Sequence, residues 1–227
     1  MSYMKTSRHK KDLAITGWMA QWYDGNTRKS RLAEMRANAD FVSQTAPVGA
    51  KVLEVAPGPG YLSIELAKRG FDVTGMELSP DFVEIEKRNA KAEGVSIDFR
   101  QGNASAMPLR DGAFDFIICA AAFKNFSEPL KALQEMHRVL MHGGTALILD
   151  MNRNNTKEDI EAEMQKYSNM KGFDRWFVRF SFKTFLRNGA YTQEELEGLI
   201  SQTNFARHEI KKHGIGFQVW MWTSLHQ

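Results

Sequence analysis

A short apolar run, a turn with two glycines and a helical segment follow one another within residues 51–68. Residues 52–55 predict a buried strand, and residues 61–68 predict a helix. Between them, Gly58 and Gly60 can adopt positive φ angles and let a ligand come close to the main chain. Such a turn places backbone N–H groups and the positive end of a helix at the carboxyl edge of a sheet, where open α/β sheets bind nucleotides. The stretch predicts an α/β fold with a ligand site at that edge; a turn of purely structural use is the alternative.

A second strand-like run covers residues 71–77 and ends in Glu77, 17 residues after Gly60. A carboxylate near that distance suits the two hydroxyls of a ribose, because it has two acceptor oxygens and no donor. Ser79-Pro80 then predicts a helix start, with Ser at the N-cap and Pro at the first helical position. The alternation of strands and helices predicts a doubly wound parallel sheet. Its further strands are expected at residues 98–104, 112–119 and 145–149.

Two more strand-like runs, at residues 207–212 and 217–223, surround a turn with two glycines. They predict an antiparallel hairpin at the edge of the sheet. The expected fold is α/β: a doubly wound, mostly parallel seven-stranded sheet with an antiparallel C-terminal edge hairpin, an N-terminal helical arm and a helical cap insertion. The expected units are an arm or lid at 1–46, a central domain at 47–153 with 191–227, and the cap at 154–190.

The N-terminal arm carries Ala14, Trp18 and Trp22 at four-residue intervals, which places them on one stripe of a helix. The stripe predicts either packing against the domain or closure over a ligand. Gly25-Asn26 predicts a break between this helix and the next.

Composition narrows the classes of protein that fit. Of 227 residues, 43% are apolar and 25% are charged, as in an ordinary globular domain. The net charge of +3 is too small to require a nucleic-acid partner. The single cysteine, Cys119, lies in an apolar run, so a disulfide within the chain and a thiolate zinc site are excluded. No apolar run approaches the ~20 residues of a membrane span, and no secretory signal is visible, so a cytoplasmic protein is expected.

Four motifs together resemble a known family. They are Glu54-x-Ala56-x-Gly58-x-Gly60, Glu77 at the end of strand two, Gly102-Asn103-Ala104 after strand three, and Phe114-Asp115 at the start of strand four. With residues 137–144, which resemble the family's helix and turn before strand five, the sequence is similar to class I, Rossmann-like S-adenosylmethionine-dependent methyltransferases of the small-molecule branch. The likeness covers residues 20–153 and 190–205. Ala56 stands where the family usually has its first Gly, a small change if its φ is negative. Asn103 stands where Asp is frequent, and its carbonyl oxygen can still accept from an adenine amino group.

The resemblance implies S-adenosyl-L-methionine as cofactor and the central domain as its binding unit. Trp22-Tyr23-Asp24 also resembles the family's aromatic-Asp segment. The residues expected to bind the cofactor are Tyr23, Glu54, Ala56, Pro57, Gly58, Gly60, Glu77, Leu78, Asn103, Ala104, Cys119 and Ala120.

The ends of strands four and five are expected to face the second substrate, the methyl acceptor. Asp150, Lys124 and Asn125 are the candidates for catalysis, although no catalytic residue is assigned, because the His that related enzymes often carry here is absent. Aromatic residues of the arm and cap predict an apolar pocket. The expected pocket residues are Trp18, Trp22, Phe123, Phe126, Asn152, Trp176, Phe177, Phe180 and Tyr191.

The predicted function is transfer of a methyl group to a small, partly apolar or aromatic acceptor by in-line displacement, giving S-adenosylhomocysteine. The basic run from Lys166 to Arg187 leaves a nucleic-acid methyltransferase as an alternative, although the modest net charge disfavours it. A nicotinamide oxidoreductase is a second, but Ser63 stands where its third Gly is expected. A cofactor-binding regulatory protein is a third. A metal-assisted reaction is disfavoured, because Cys119-Ala120 offers no carboxylate. A homodimer is left open.

Overall fold

The computed structural model describes residues 12, 14–165 and 189–225. Within these residues the chain forms one seven-stranded sheet with helices on both faces. The strands are β1 (Lys51–Val55), β2 (Asp72–Glu77), β3 (Asp98–Gln101), β4 (Phe114–Ala120), β5 (Leu140–Met151), β6 (Arg207–His213) and β7 (Gly216–Trp222). The helices are α1 (Trp18–Ser30), α2 (Leu32–Thr45), α3 (Tyr61–Lys68), α4 (Pro80–Ala92), α5 (Pro129–Val139), α6 (Lys157–Met164) and α7 (Gln193–Ile200), with a short 3₁₀ helix at Phe123–Asn125.

The strand order is β3-β2-β1-β4-β5-β7-β6. Strands β1 to β5 run parallel, with Val52 beside Val73 of β2 and beside Phe116 of β4. Strand β7 runs antiparallel between β5 and β6. The predicted fold, including the C-terminal edge hairpin, is confirmed. The order changes direction at β1 and β4, which is the point where sheets of this kind open a ligand crevice.

The core lies on both faces of the sheet, because neighbouring side chains of a strand point to opposite sides. In β1, Leu53 belongs to the cluster that α5 and α7 cover, and Val52 belongs to the cluster that α2 and α3 cover. Both side chains are fully buried, and each such burial contributes about 1.5–3 kcal/mol. This explains why the central strands read as continuous apolar runs.

The helix start predicted at Ser79-Pro80 is confirmed. The Ser79 hydroxyl accepts a hydrogen bond from the Phe82 N–H at 3.2 Å, with Pro80 as the first helical residue. Helices α6 and α7 begin with complete capping boxes, formed by Thr156 with Asp159 and by Thr192 with Glu195. Each cap is worth about 1 kcal/mol.

Two predicted boundaries are wrong. Helix α1 continues through Gly25-Asn26 to Ser30, and the chain turns at Arg31 instead. A glycine inside a helix costs only about 1 kcal/mol, and the inward contacts of α1 outweigh that cost. Strand β5 begins directly at Leu140, so the turn expected within residues 137–144 is an irregularity inside the strand, marked by the positive φ of Gly143.

The predicted cap is described only in part. Helix α6 follows β5, and the chain returns at residue 189, while Trp176, Phe177, Phe180 and the basic run lie outside the described residues. The cap and the unit boundaries therefore stay predictions. Among the helices that the structure describes, none combines the length and apolar character needed to cross a bilayer.

Helix α4 carries a buried carboxyl group that the described residues do not satisfy. Glu86 is fully buried, and neither of its carboxyl oxygens has a hydrogen-bond partner there. Burial, reinforced by the nearby Glu77 and Glu54 carboxylates, raises the pKa of Glu86 to about 10. Its carboxyl group is therefore neutral at pH 7, and the fold retains a proton at this position.

We expect Glu86→Gln to make folding stability less dependent on pH. Between the unfolded pKa of 4.5 and the folded pKa of about 10, the folded chain holds a proton that the unfolded chain has lost. Stability therefore falls as pH rises through this window, by at most about 1.4 kcal/mol per pH unit for this group. Glutamine does not titrate, so the variant does not lose this stability as pH rises. In denaturant unfolding experiments, its free energy of unfolding relative to that of the wild type should increase from pH 5 to pH 8.

Glu84→Gln is the matched control, because Glu84 lies on the same helix with its side chain 77% exposed. It should leave the pH dependence unchanged. If the free energy of unfolding changes with pH equally in Glu86→Gln and in the wild type, Glu86 is not a neutral buried acid.

Candidate functional site

A cavity of about 170 Å³ opens at the carboxyl ends of β1, β2 and β4. It brings together eight of the twelve residues predicted for the cofactor site: Tyr23, Glu54, Ala56, Pro57, Gly58, Glu77, Leu78 and Ala120. Other lining residues were not predicted from the sequence: Asp12, Ala14, Ile15, Thr27, Arg31, Met35, Pro59, Tyr61, Phe82, Ala121 and Ala122. Six of these eleven lie on α1, on α2, at Arg31 between the two helices, or in the chain just before α1. Their positions depend on how the N-terminal arm packs against the central domain, and no local sequence motif indicates that packing.

The turn after β1 is built from left-handed residues. The φ angles are 58° at Ala56, 60° at Gly58 and 81° at Gly60. The expectation for Ala56 rested on a negative φ and is corrected here: the residue adopts a conformation that costs an L-amino acid about 1–2 kcal/mol. Gly60 does not line the cavity. A Cβ there would lie 2.7 Å from the Glu86 Cβ, so this glycine is needed for packing between the turn and α4.

Two acids face the cavity from the ends of β1 and β2. Glu77 accepts hydrogen bonds from the Gly58 N–H at 3.1 Å and the Ser79 N–H at 2.9 Å, which ties β2 to the turn. Burial raises the pKa of Glu77, and these amide bonds oppose the rise. Glu54 accepts a hydrogen bond from the Ser63 hydroxyl. Burial raises the pKa of Glu54 to about 7. A cationic or hydroxylated ligand would satisfy both groups.

The chain before α1 crosses the mouth of the cavity. We call residue 12 with residues 14–17 the strap. The Asp12 carboxylate accepts hydrogen bonds from the Asn103 side-chain amide at 2.9 Å and from the Ser127 N–H at 3.0 Å. The Ile15 carbonyl accepts a hydrogen bond from the Ser79 hydroxyl. The strap thereby joins the loops that follow β2, β3 and β4 and covers the site that they form.

Helix α1 is held against the glycine turn by a buried network around Asp24. Its carboxylate accepts hydrogen bonds from the Tyr61 hydroxyl at 2.7 Å, the Asn89 amide at 2.9 Å and the Arg88 guanidinium at 2.9 Å. Asn89 also donates to the Pro59 carbonyl at 3.0 Å. The network therefore fixes α1, and with it the cavity-lining residues of that helix, relative to the turn.

The opposite wall follows β4 and is apolar apart from Asn125. The ring of Phe123 lies 5.5 Å from those of both Phe126 and Tyr191, and Phe126 reaches the cavity. The small residues Ala120–Ala122 leave the main chain open to a ligand there. Ala121 has a φ of 59°, a second strained position at the cavity wall. Burial, together with the Asp150 and Glu195 carboxylates, raises the pKa of Tyr191 to about 12, so its hydroxyl stays protonated.

Lys124 and Asp150 form a buried ion pair behind this wall, with Nζ and Oδ1 at 2.9 Å. The same carboxylate accepts hydrogen bonds from the Lys124 N–H at 2.8 Å and the Met151 N–H at 2.7 Å. The ammonium group also donates to the Ala121 carbonyl. Neither side chain lines the cavity, whereas Asn125 does. The geometry therefore favours a positioning role for the pair, which holds the end of β4 to the end of β5.

Three predicted cofactor residues lie elsewhere. Cys119 is fully buried in the cluster under α5, because it points to the face opposite Ala120, and burial raises the pKa of its thiol. Ala104 packs against the same cluster. Asn103 holds Asp12 through its amide, while its carbonyl oxygen accepts from the Ser105 N–H and hydroxyl at 2.9 and 2.8 Å. That oxygen is therefore already engaged in a turn.

Five predicted pocket residues do not line the cavity: Phe123, Tyr191, Trp18, Trp22 and Asn152. Trp18 and Trp22 are 76% and 55% exposed and do not line the cavity, because α1 turns Ala20, Asp24 and Thr27 inward. Asn152 is buried, and its side-chain oxygen accepts from the Asn154 N–H at 2.8 Å. It therefore shapes the loop after β5.

Metal ligands are not grouped at this site. Among the residues that the structure describes, no cluster of three or more His, Cys, Asp or Glu side chains is arranged to hold a metal ion.

Comparison with known proteins finds likenesses to methyltransferases. Residues 53–148 match a family described as a methyltransferase domain. The chain is 37% identical over 117 residues to the demethylmenaquinone methyltransferase of Thermus thermophilus, covering 51% of this chain and 52% of that protein. It is 27% identical over 137 residues to the ubiquinone biosynthesis O-methyltransferase of Pseudomonas aeruginosa, covering 59% of each. The chain thus spans about half the length of the curated relatives that it matches.

A solved structure extends the likeness to the whole fold. A putative S-adenosyl-L-methionine-dependent methyltransferase from Methanococcus maripaludis superimposes with a TM-score of 0.73 at 22% identity, covering 100% of this chain and 98% of that one.

We expect Ala56→Gly to stabilise the fold by up to about 1 kcal/mol. Glycine removes the left-handed strain at φ 58° but costs about 0.5–1 kcal/mol of chain entropy, so the net gain is small. Ala67→Gly, inside α3, is the matched control and should destabilise by about 1 kcal/mol. Denaturant unfolding measures both changes. Equal losses in the two variants would show that Ala56 is not strained.

Proposed function

We propose that this chain, in which residues 53–148 form a methyltransferase domain, transfers a methyl group from S-adenosylmethionine to a small aromatic acceptor of the quinol type. The observation that carries the proposal is the arrangement of Glu54 and Glu77 beside the glycine turn, facing the apolar wall formed by the end of β4. One side suits a polar, cationic cofactor, and the other suits a flat, apolar acceptor.

The residues around the turn fit the cofactor's groups. Glu77 keeps lone pairs for two ribose hydroxyls beyond its two amide bonds, because a carboxylate accepts about four hydrogen bonds. Glu54 offers a negative charge to an ammonium group. Arg31 lines the same cavity and is paired with Glu34 at 2.7 Å while it donates to the Tyr23 hydroxyl at 3.2 Å, so the cofactor's carboxylate would share this cation with Glu34. Ile15 and Phe82 supply apolar surface for a base.

The cavity is smaller than the ~300–1,000 Å³ of typical small-molecule sites. We therefore expect the strap to shift when the cofactor enters. The bonds that Asp12 makes to Asn103 and Ser127 join different loops, so they can open without disturbing the sheet.

The chain's main contribution to the reaction is alignment and exclusion of water. When bound, S-adenosylmethionine would supply a methyl group on a positively charged sulfur, and Glu54, Glu77 and Arg31 would hold it in the cavity. Ala120–Ala122 leave room for the acceptor beside the turn, and Phe126 orients its ring. Lys124 and Asp150 keep this wall in place through the Ala121 carbonyl.

Two observations favour a quinol-type acceptor. The Phe126 ring forms an aromatic wall of the cavity and is supported by Phe123, whose ring lies 5.5 Å from those of Phe126 and Tyr191. Aromatic rings contact one another favourably in edge and tilted arrangements. The names of two relatives, demethylmenaquinone methyltransferase and ubiquinone biosynthesis O-methyltransferase, indicate acceptors of that chemistry.

The alternatives have less support. An oxidoreductase of the nicotinamide class would place a glycine at Ser63, but that side chain is fully buried and bonded to Glu54. A nucleic-acid methyltransferase would depend on the basic run between Lys166 and Arg187, outside the described residues.

Glu77→Gln should weaken S-adenosylmethionine binding by about 1.5–3 kcal/mol, because hydrogen bonds to a charged acceptor are lost. Isothermal calorimetry measures the change. Glu84→Gln, exposed on α4, is the control and should bind as the wild type does. Unchanged affinity in Glu77→Gln would refute its role, and binding of NAD in place of S-adenosylmethionine by the wild type would favour the oxidoreductase.

Phe126→Ala should raise the KM for a reduced, short-chain demethylmenaquinone about tenfold and leave the affinity for the cofactor unchanged, because the side chain lies on the acceptor wall. Transfer of a labelled methyl group measures the reaction. Phe205→Ala is the matched control, since Phe205 is also half-buried but contacts His137 and does not line the cavity. If Phe126→Ala leaves the KM unchanged, the acceptor does not bind at this wall. No transfer to any quinol by the wild type would overturn the proposed function.

A further inference from the structure

Helix α1 presents a cluster of large apolar side chains to solvent. Trp18, Met19 and Trp22 are 76%, 48% and 55% exposed, and we call them the Trp18 patch. Three of the six exposed large apolar side chains in the described residues lie here, within one turn of one helix. Single exposed apolar residues are ordinary, whereas a group of them marks an interaction surface.

The Trp18 patch is not needed to hold α1 in place. The helix is anchored on its other side by the buried Asp24 network with Tyr61, Arg88 and Asn89. Its inward face also buries Ala20 and Thr27. The patch therefore sits on a rigid support, and its three side chains remain available to a partner.

The exposed charge of α1 and of the sequence before it is positive, whereas Asp81 of α4 accepts a hydrogen bond from the Gly17 N–H beside the patch. The only acid of α1 is Asp24, which is buried and paired with Arg88, while Lys29 of the same helix is exposed. Residues 1–11, which precede the strap, contain Lys5, Arg8, Lys10 and Lys11 and no acid. The other acid before Glu34, Asp12, is bonded to Asn103 and Ser127.

We infer that the Trp18 patch docks on an anionic lipid membrane. Tryptophan favours the boundary between headgroups and acyl chains, because its ring is apolar and its N–H is polar. Basic residues beside such a helix add attraction to anionic headgroups. A surface of two tryptophans and one methionine supports reversible binding in the plane of the interface.

The position of the patch gives the docking a use. The strap that covers the cavity leads directly into Trp18, and Ile15 and Tyr23 on either side of the patch line the cavity. The strap at the mouth of the cavity therefore lies next to the docked face, although the patch itself points away from the cavity. Resting on the proposed function, docking would shorten the path of a quinol from the bilayer to the site.

The experiment measures binding of the full chain to vesicles, with neither cofactor nor acceptor present. Vesicles of equal parts phosphatidylcholine and phosphatidylglycerol should bind the chain in flotation assays, and pure phosphatidylcholine vesicles should bind it weakly. Trp18→Ser combined with Trp22→Ser should lower the affinity for the anionic vesicles by about tenfold or more. Val48→Ser combined with Leu225→Ser is the control, because these side chains are 80% and 79% exposed elsewhere. This control should bind as the wild type does.

Absence of vesicle binding by the wild type, or equal binding by the Trp18/Trp22 variant, would overturn the inference. Sedimentation without lipid tests whether a second copy of the chain covers the patch instead. If the wild type is a dimer and the Trp18/Trp22 variant is a monomer, the patch is a dimer interface and the membrane inference is overturned. Because the vesicle assay contains no acceptor, its outcome does not depend on the proposed methyl transfer, and the two proposals can fail separately. A chain that binds vesicles through the patch yet methylates no quinol contradicts the proposed function alone.

Discussion

Strand β1 pairs in parallel with β2 on one side and β4 on the other, and the site depends on this position. Parallel pairing brings the carboxyl ends of all three strands to one edge. The chain leaving β1 must turn at once into α3, and it does so through left-handed residues at Ala56, Gly58 and Gly60. The Glu77 carboxylate, reaching across from β2 to the Gly58 N–H, holds that turn open toward the cavity. The arm, the strap and the aromatic wall are all arranged around this one edge.

The same edge concentrates buried acids at a cost in stability. Glu54, Glu77 and Glu86 lie close enough for their charges to interact, and burial raises the pKa of each. Ser63 and the main-chain amides satisfy two of them in part, whereas Glu86 has no partner among the described residues. Burying unpaired carboxyl groups is unfavourable, so the two that line the cavity, Glu54 and Glu77, suit a site that receives a positively charged ligand.

Local signals in the sequence were sufficient for the sheet and for most of the cofactor side. Apolar runs, capping boxes and the glycine turn each depend on neighbours a few positions away, so β1, α3 and the helix starts at Ser79, Thr156 and Thr192 were predictable. The failures come from distant contacts. The stripe of Trp18 and Trp22 predicts an inward face, but Asp24 finds its partners on α3 and α4 and turns the tryptophans outward. Likewise the strap positions of Asp12 and Ile15 depend on loops far along the chain.

The order of the strands also affects how the protein can be made. Strand β7 is the last in sequence, yet it lies inside the sheet between β5 and β6. Met151 and Gly216 are paired although 65 positions separate them. During synthesis β5 therefore remains an open edge until the C-terminal hairpin leaves the ribosome. Open edges are templates for pairing with other chains, and long-range pairings form slowly. A nascent chain interrupted before Gly216 would hence expose an aggregation-prone strand, so successful folding depends on completing the hairpin promptly.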